Sequence, residues 1–144
     1  MWSDTFLAIE RTHFLRIAAW GAACLLVGTA LLALVALRRQ RWSLAQHFAL
    51  QTALWGAVDV ALALLAMRQL RPPDYAAAVR FDRFVWWSLG VDIGGAAVGV
   101  TLALAGWLLG RRLGAVGAGI GVLVQGAALV AIDLVVIGQI GARM

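Results

Sequence analysis

Lysine is absent from this chain, cysteine occurs once, and charged side chains make up only 13% of its 144 residues. All twelve basic residues are therefore arginine. So little charge, beside 63% hydrophobic residues, lies outside the range of soluble globular domains. The single Cys24 excludes an internal disulfide and reads as a small apolar filler in mid-span. Enzyme signatures are missing as well: no P-loop, no nucleophile elbow, no HExxH and no cysteine metal cluster. Cys24, Ser43 and Ser88 have no neighbouring base in sequence. The expectation is a non-enzymatic protein without a resident metal.

What is present is apolar length. Crossing a hydrocarbon core about 30 Å thick takes ~20 apolar residues. Four stretches reach that length, at about 17–37, 44–67, 84–110 and 115–140. They fill most of the chain, so residues 1–144 read as one all-α transmembrane domain, a four-helix bundle. The longest connection, 68–83, is too short for a soluble domain. The first stretch exceeds a signal-peptide core, and arginines 38, 39 and 41 follow it without a small-residue cleavage site, which predicts a retained helix. The net charge of +5 comes from arginines at span ends. It marks membrane borders that can hold anionic lipid head groups. A nucleic-acid partner would need a basic face on a soluble module, and the sequence offers none.

Phe6, Ile9, His13 and Ile17 form one helical stripe, which Asp4 or Thr5 can cap. This segment is expected either to lie at the interface as a short helix or to extend helix 1 outward. Pro72 and Pro73 stop helix 2, and Asp74 can cap a new helix starting at Tyr75. Residues 75–84 mix Val79, Phe81 and Phe84 with Arg80, Asp82 and Arg83, as a short interfacial helix leading into helix 3 would. Trp42, Trp86, Trp87 and Trp107 fall near the span borders, where an aromatic belt belongs. Both termini and the 68–83 loop share one side. That side carries seven arginines, Arg143 among them, against four acids, while the turns side carries five arginines and no acids. The positive-inside rule leaves orientation open.

An internal repeat runs through the helices. QTALWGAVD, from Gln51 to Asp59, matches QGAALVAID, from Gln125 to Asp133, and each follows an arginine pair. Two helical hairpins of like topology would be related by an axis along the membrane normal.

Asp59, Asp92 and Asp133 each interrupt a different span. An ionisable group at membrane depth costs roughly 2.5–3.5 kcal/mol on insertion scales. Counted at ~1.5 Å per residue from the span ends, all three lie roughly 10–12 Å inside the termini-side border. Arg16 enters helix 1 from the same side, and its long side chain can reach into or out of that layer. One arginine facing three ionised aspartates would leave the layer net negative, so at least one aspartate is expected to be neutral, or an outside cation to be bound. Gln51 and Gln125, eight residues before Asp59 and Asp133 on the same helical rows, are supporting polar groups. The layer reads in three ways: as interhelical hydrogen bonding, as a proton or cation path, or as a contact for a missing partner.

Thirteen of the sixteen glycines fall at or after Gly90. Gly90–Gly94, Gly95–Gly99, Gly106–Gly110 and Gly117–Gly121 have small-xxx-small spacing, which predicts close approach of helices 3 and 4, with a surplus available to another subunit or a pigment ring. His13 and His47 lie about a bilayer apart, so they do not make a bis-histidine haem site. His47 alone is a weak candidate pigment ligand.

The pattern Gly90-x-Asp92-x-x-Gly95, with Gln125-Gly126 and Asp133 in helix 4, resembles a family of small four-helix bacterial membrane proteins of uncharacterised function. Trp55 and Asp59 in helix 2 are similar too, although the resemblance leads one to expect an amide at position 59. It implies a four-helix fold and leaves the activity open.

The leading functional expectation is an accessory or scaffold subunit of a larger membrane complex, respiratory or photosynthetic, in a bacterial cytoplasmic membrane. Its partners would be lipids and other transmembrane subunits. The rival expectation is a proton or cation channel, or a small transporter, using the aspartates. A pigment- or haem-binding module is the third.

Overall fold

In the computed structural model, residues 2–38 and 42–142 are described. Arg39, Arg41 and Arg143, counted above, lie outside the described residues. Four helices follow in order: α1 (Trp2–Leu37), α2 (Ser43–Gln69), α3 (Tyr75–Leu108) and α4 (Leu113–Gly141). All four are long and apolar enough to cross a membrane. Leu26 is 70% exposed and Leu62 60% exposed, so the bundle turns apolar side chains outward, as hydrocarbon surroundings require.

The 3–16 stripe extends α1 outward and does not form a separate interfacial helix. Residues 75–84 are likewise the first turns of α3. Helix α1 is thus 36 residues long and α3 34. No glycine or proline falls between Trp2 and Trp20, so nothing breaks the α1 ladder there. Asp4 lies in the first turn of α1 rather than ahead of it. The prolines act as expected: α2 ends at Gln69, and the Asp74 side chain accepts from the Ala77 N–H at 2.7 Å to cap α3.

Helix α3 closes with the Leu109 N–H on the Ala105 carbonyl, at 2.9 Å, and the Arg112 N–H on the Gly106 carbonyl, at 2.7 Å. The chain then reverses through Gly110 at φ 92° and Arg111 at φ 53°. Gly110 is therefore a turn glycine, since its φ suits a residue without a Cβ. The Arg111 guanidinium covers the Trp107 ring at 5.0 Å.

Helices α1 and α2 pack closely, as do α3 and α4, giving two hairpins joined mainly through α2 against α4. Glycines set both close approaches. A Cβ on Gly28 would come within 2.6 Å of the Ala53 nitrogen, and one on Gly56 within 2.6 Å of the Gly21 oxygen. In the second hairpin, Gly99 would meet the Leu123 nitrogen at 2.5 Å, and Gly106 the Ala115 Cβ at 2.8 Å. Gly119 and Gly126 do the same from the α4 side.

Part of the expected glycine face is used elsewhere. Gly117 abuts the Leu44 backbone and Gly121 the Gln51 side chain, so both pack on α2 and not on α3. A Cβ on Gly90, Gly94 or Gly95 would meet nothing within 4 Å. These three take no part in the crossing of α3 with α4. They lie on a face of α3 that the chain itself leaves open.

At the termini end, Phe6, Ala78, Phe81, Val85, Val136 and Ile140 form a buried cluster. Phe81 is its hub, with ring centroids of Phe6 and Phe14 both 6.0 Å away in edge-on contact. This cluster joins the outer turns of α1 and α3 to the end of α4.

Candidate functional site

Helices α2 and α3 do not pack closely along their length, and the space between them is a cavity of about 460 Å³. All four helices line it. Asp59 comes from α2, Ser88 and Asp92 from α3, Asp133 from α4 and His13 from α1. The remaining wall is apolar and aromatic, with Phe14, Trp55, Phe84 and Trp87 prominent. Three aspartates that are far apart in sequence thus line one chamber.

Two of its polar residues are almost wholly buried, His13 at 1% and Asp133 at 2% exposure. His13 Nε2 lies 3.7 Å from Asp133 Oδ1. His13 Nδ1 and Asp133 Oδ2 have no hydrogen-bond partner in the protein. An orphaned buried polar atom costs on the order of 1–3 kcal/mol, so the fold holds this pair at its own expense. The His13 and Phe81 rings meet in a T-shaped contact with centroids 5.9 Å apart.

Asp59 has different surroundings. Its carboxylate accepts from the Gln125 side-chain amide, and Gln125 Oε1 accepts from Trp20 Nε1 at 3.0 Å. The Cys24 thiol also lies 3.8 Å from Gln125 Oε1. Cys24 is therefore part of a polar contact, beyond its expected role as filler. This network sits on the side of the cavity away from the termini, since Trp20 and Gln125 are each about two turns deeper than His13 and Asp133.

On the termini side a second cavity, about 590 Å³, lies against the first. Glu10, Arg71, Asp74 and Arg80 line it, and Phe14, Ala66 and Phe84 line both chambers. The Ser3 hydroxyl donates to the Pro73 carbonyl at 3.2 Å, tying the start of α1 to the loop that rims this vestibule. A charged outer chamber thus shares the side chains of Phe14, Ala66 and Phe84 with an apolar inner one that has acids on its walls.

Other residues singled out in the sequence lie elsewhere. The Arg16 guanidinium does not join the aspartates by a hydrogen bond; it donates to Gln139 Oε1 at 3.4 Å, nearer the border where its charge is better solvated. Gln51 packs against Gly121 and makes no bond to Asp133 that would mirror the Gln125–Asp59 bond. His47 is exposed at the opposite end, its Nδ1 2.8 Å from the Ser43 carbonyl oxygen. Sequence reasoning missed His13, Ser88 and Trp20. The available signal was the spacing of Trp20 and Cys24, four residues apart and hence on one face of α1.

No curated protein and no solved structure matches the chain. Residues 16–134, which carry all three aspartates and begin just after His13, match a family of unknown function (DUF6992), and the chain belongs to that family.

Proposed function

We propose that this protein is a non-enzymatic membrane protein that takes up a cation within the bilayer, as a small transporter or conductor. The observation that carries this reading is the inner cavity. Three carboxylates line it, no arginine among the described residues does, and a buried aspartate oxygen there has no partner. A carboxylate that served only to join helices would be expected to satisfy its buried oxygens, as Asp59 does with Gln125, whereas Asp133 Oδ2 is left over. The adjoining vestibule, which shares Phe14, Ala66 and Phe84 with the cavity, favours entry from the termini side. The host we assign is a bacterial cytoplasmic membrane, on the resemblance of the Gly90-x-Asp92-x-x-Gly95 pattern, with anionic lipids at the border arginines. Reconstituted vesicles test the reading. Proton or sodium flux should appear with the native chain and vanish when Asp59, Asp92 and Asp133 are all asparagine. Flux unchanged by that triple substitution refutes it.

A second reading, an accessory subunit of a larger membrane complex, is favoured by the face of Gly90, Gly94 and Gly95, which meets nothing in its own chain. Purification from native membranes in mild detergent tests it. Only the isolated chain would be recovered if the reading is wrong.

A further inference from the structure

The inner cavity has features beyond acidity that define what fits it, and on the cation reading above we infer that its ligand is an amphipathic organic cation. Its volume, about 460 Å³, is that of a site for a drug-sized molecule and much more than one desolvated metal ion fills. The acids do not converge: among the described residues no three His, Cys, Asp or Glu side chains are grouped to hold one metal ion. Carboxylates spread over a wide chamber suit a diffuse charge on a bulky body. Phe14, Trp55, Phe84 and Trp87 line the same chamber, and such rings pack apolar ligand surface and attract cations over their faces. Asp133 lines the cavity too, though its unpartnered Oδ2 is itself buried, on a side chain only 2% exposed.

The rim points to the same class. Leu62 and Trp87 line the cavity yet are 60% and 66% exposed on the outside of the bundle, between α2 and α3. A ligand already dissolved in the bilayer interface can reach the acids past that rim. By this lateral route a hydrated inorganic ion would have to shed its water.

The test uses the full chain in phosphatidylcholine nanodiscs, with tetraphenylphosphonium as probe and uncharged triphenylphosphine oxide as its neutral counterpart, measured by equilibrium dialysis. Saturable binding of the cation and none of the neutral compound is expected. Asp92→Asn, at a half-buried position, should weaken binding about tenfold or more, the worth of one close charge pair in a desolvated site. Trp87→Ala, at a largely exposed side chain, should weaken it several-fold without endangering the fold, and Ser88→Phe should abolish it by filling the chamber. Uptake no greater than in empty nanodiscs, or equal for both compounds, overturns the inference. If proton or sodium flux then persists and still requires the aspartates, the transport reading stands without this ligand class; if flux is absent too, both fall.

Discussion

The side-chain amide of Gln125 on α4 donates to the carboxylate of Asp59 on α2, and so fastens one hairpin to the other at membrane depth. Gln125 also accepts from Trp20 of α1, which makes it the junction of three helices. Gln125→Leu is apolar and close in volume, so it isolates the loss of hydrogen bonding from a loss of packing. Interhelical hydrogen bonds in membranes are worth about 0.6–2 kcal/mol, and here a buried carboxylate is also orphaned, so a loss of about 1–3 kcal/mol is expected. Unfolding titrations in mixed micelles measure it. A change below 0.5 kcal/mol would show, contrary to expectation, that the bond does not hold the hairpins together.

His13 and Asp133 predict the opposite sign. Replacing both by apolar residues of similar size removes two orphaned polar atoms together. The double variant His13→Phe, Asp133→Leu is expected to be as stable as the native chain or more so, by up to a few kcal/mol, as for buried ion pairs exchanged for packed apolar groups. The same variant should lose cation binding and flux. Melting curves in detergent and flux in vesicles, taken on one preparation, check both halves. A markedly less stable double variant would show that the pair serves the fold.

The number of helices was readable because it follows from apolar length along the chain. Asp59, Asp92 and Asp133 all line one cavity, as their similar spacing from one border suggests, but Asp59 sits beside Gly21 and Gln125 and Asp133 beside His13. Rotation of each helix about its axis was not readable. Helices that are apolar on nearly every face give no periodic stripe from which to choose a packing side. For that reason Gly117 and Gly121 turn to α2, Gly90 and Gly94 face outward, and Gln51 fails to mirror Gln125. His13 precedes the apolar run that begins at residue 17, so its stripe is expected at the interface or as an outward extension of helix 1, and neither expectation implies its burial. Its burial comes from Phe14 and Phe81, and Phe81 belongs to a different helix. Arg16 shows a further limit: a long side chain at a border can turn either way, and here it turns to Gln139.

The Asp74 cap gives a local prediction. Its carboxylate holds the Ala77 N–H at the start of α3, beside the vestibule. Asp74→Ala should cost about 1 kcal/mol, within the usual range for lost caps. The change should be seen first as faster hydrogen exchange at Ala77 and its neighbours, while the membrane-depth amides of α3 stay protected. Equal acceleration along all of α3 would argue that the helix opens as one unit and that the cap is not a local device.

Glycine substitutions separate contacts inside the chain from contacts outside it. At Gly28 an added methyl would lie within 2.6 Å of the Ala53 nitrogen and 2.7 Å of the Ala49 oxygen, both backbone atoms that cannot rotate away. Gly28→Ala must therefore part α1 from α2, at an expected cost of about 1–3 kcal/mol, typical of overpacking. Gly94→Ala meets nothing within 4 Å and should leave the isolated chain unchanged or slightly more stable, since alanine favours a helix over glycine by up to about 1 kcal/mol. Any loss of stability or assembly that Gly94→Ala causes in native membranes, and not in detergent, then reports a neighbour seated on the open face of α3. Equal behaviour in both settings would leave that face to lipid alone.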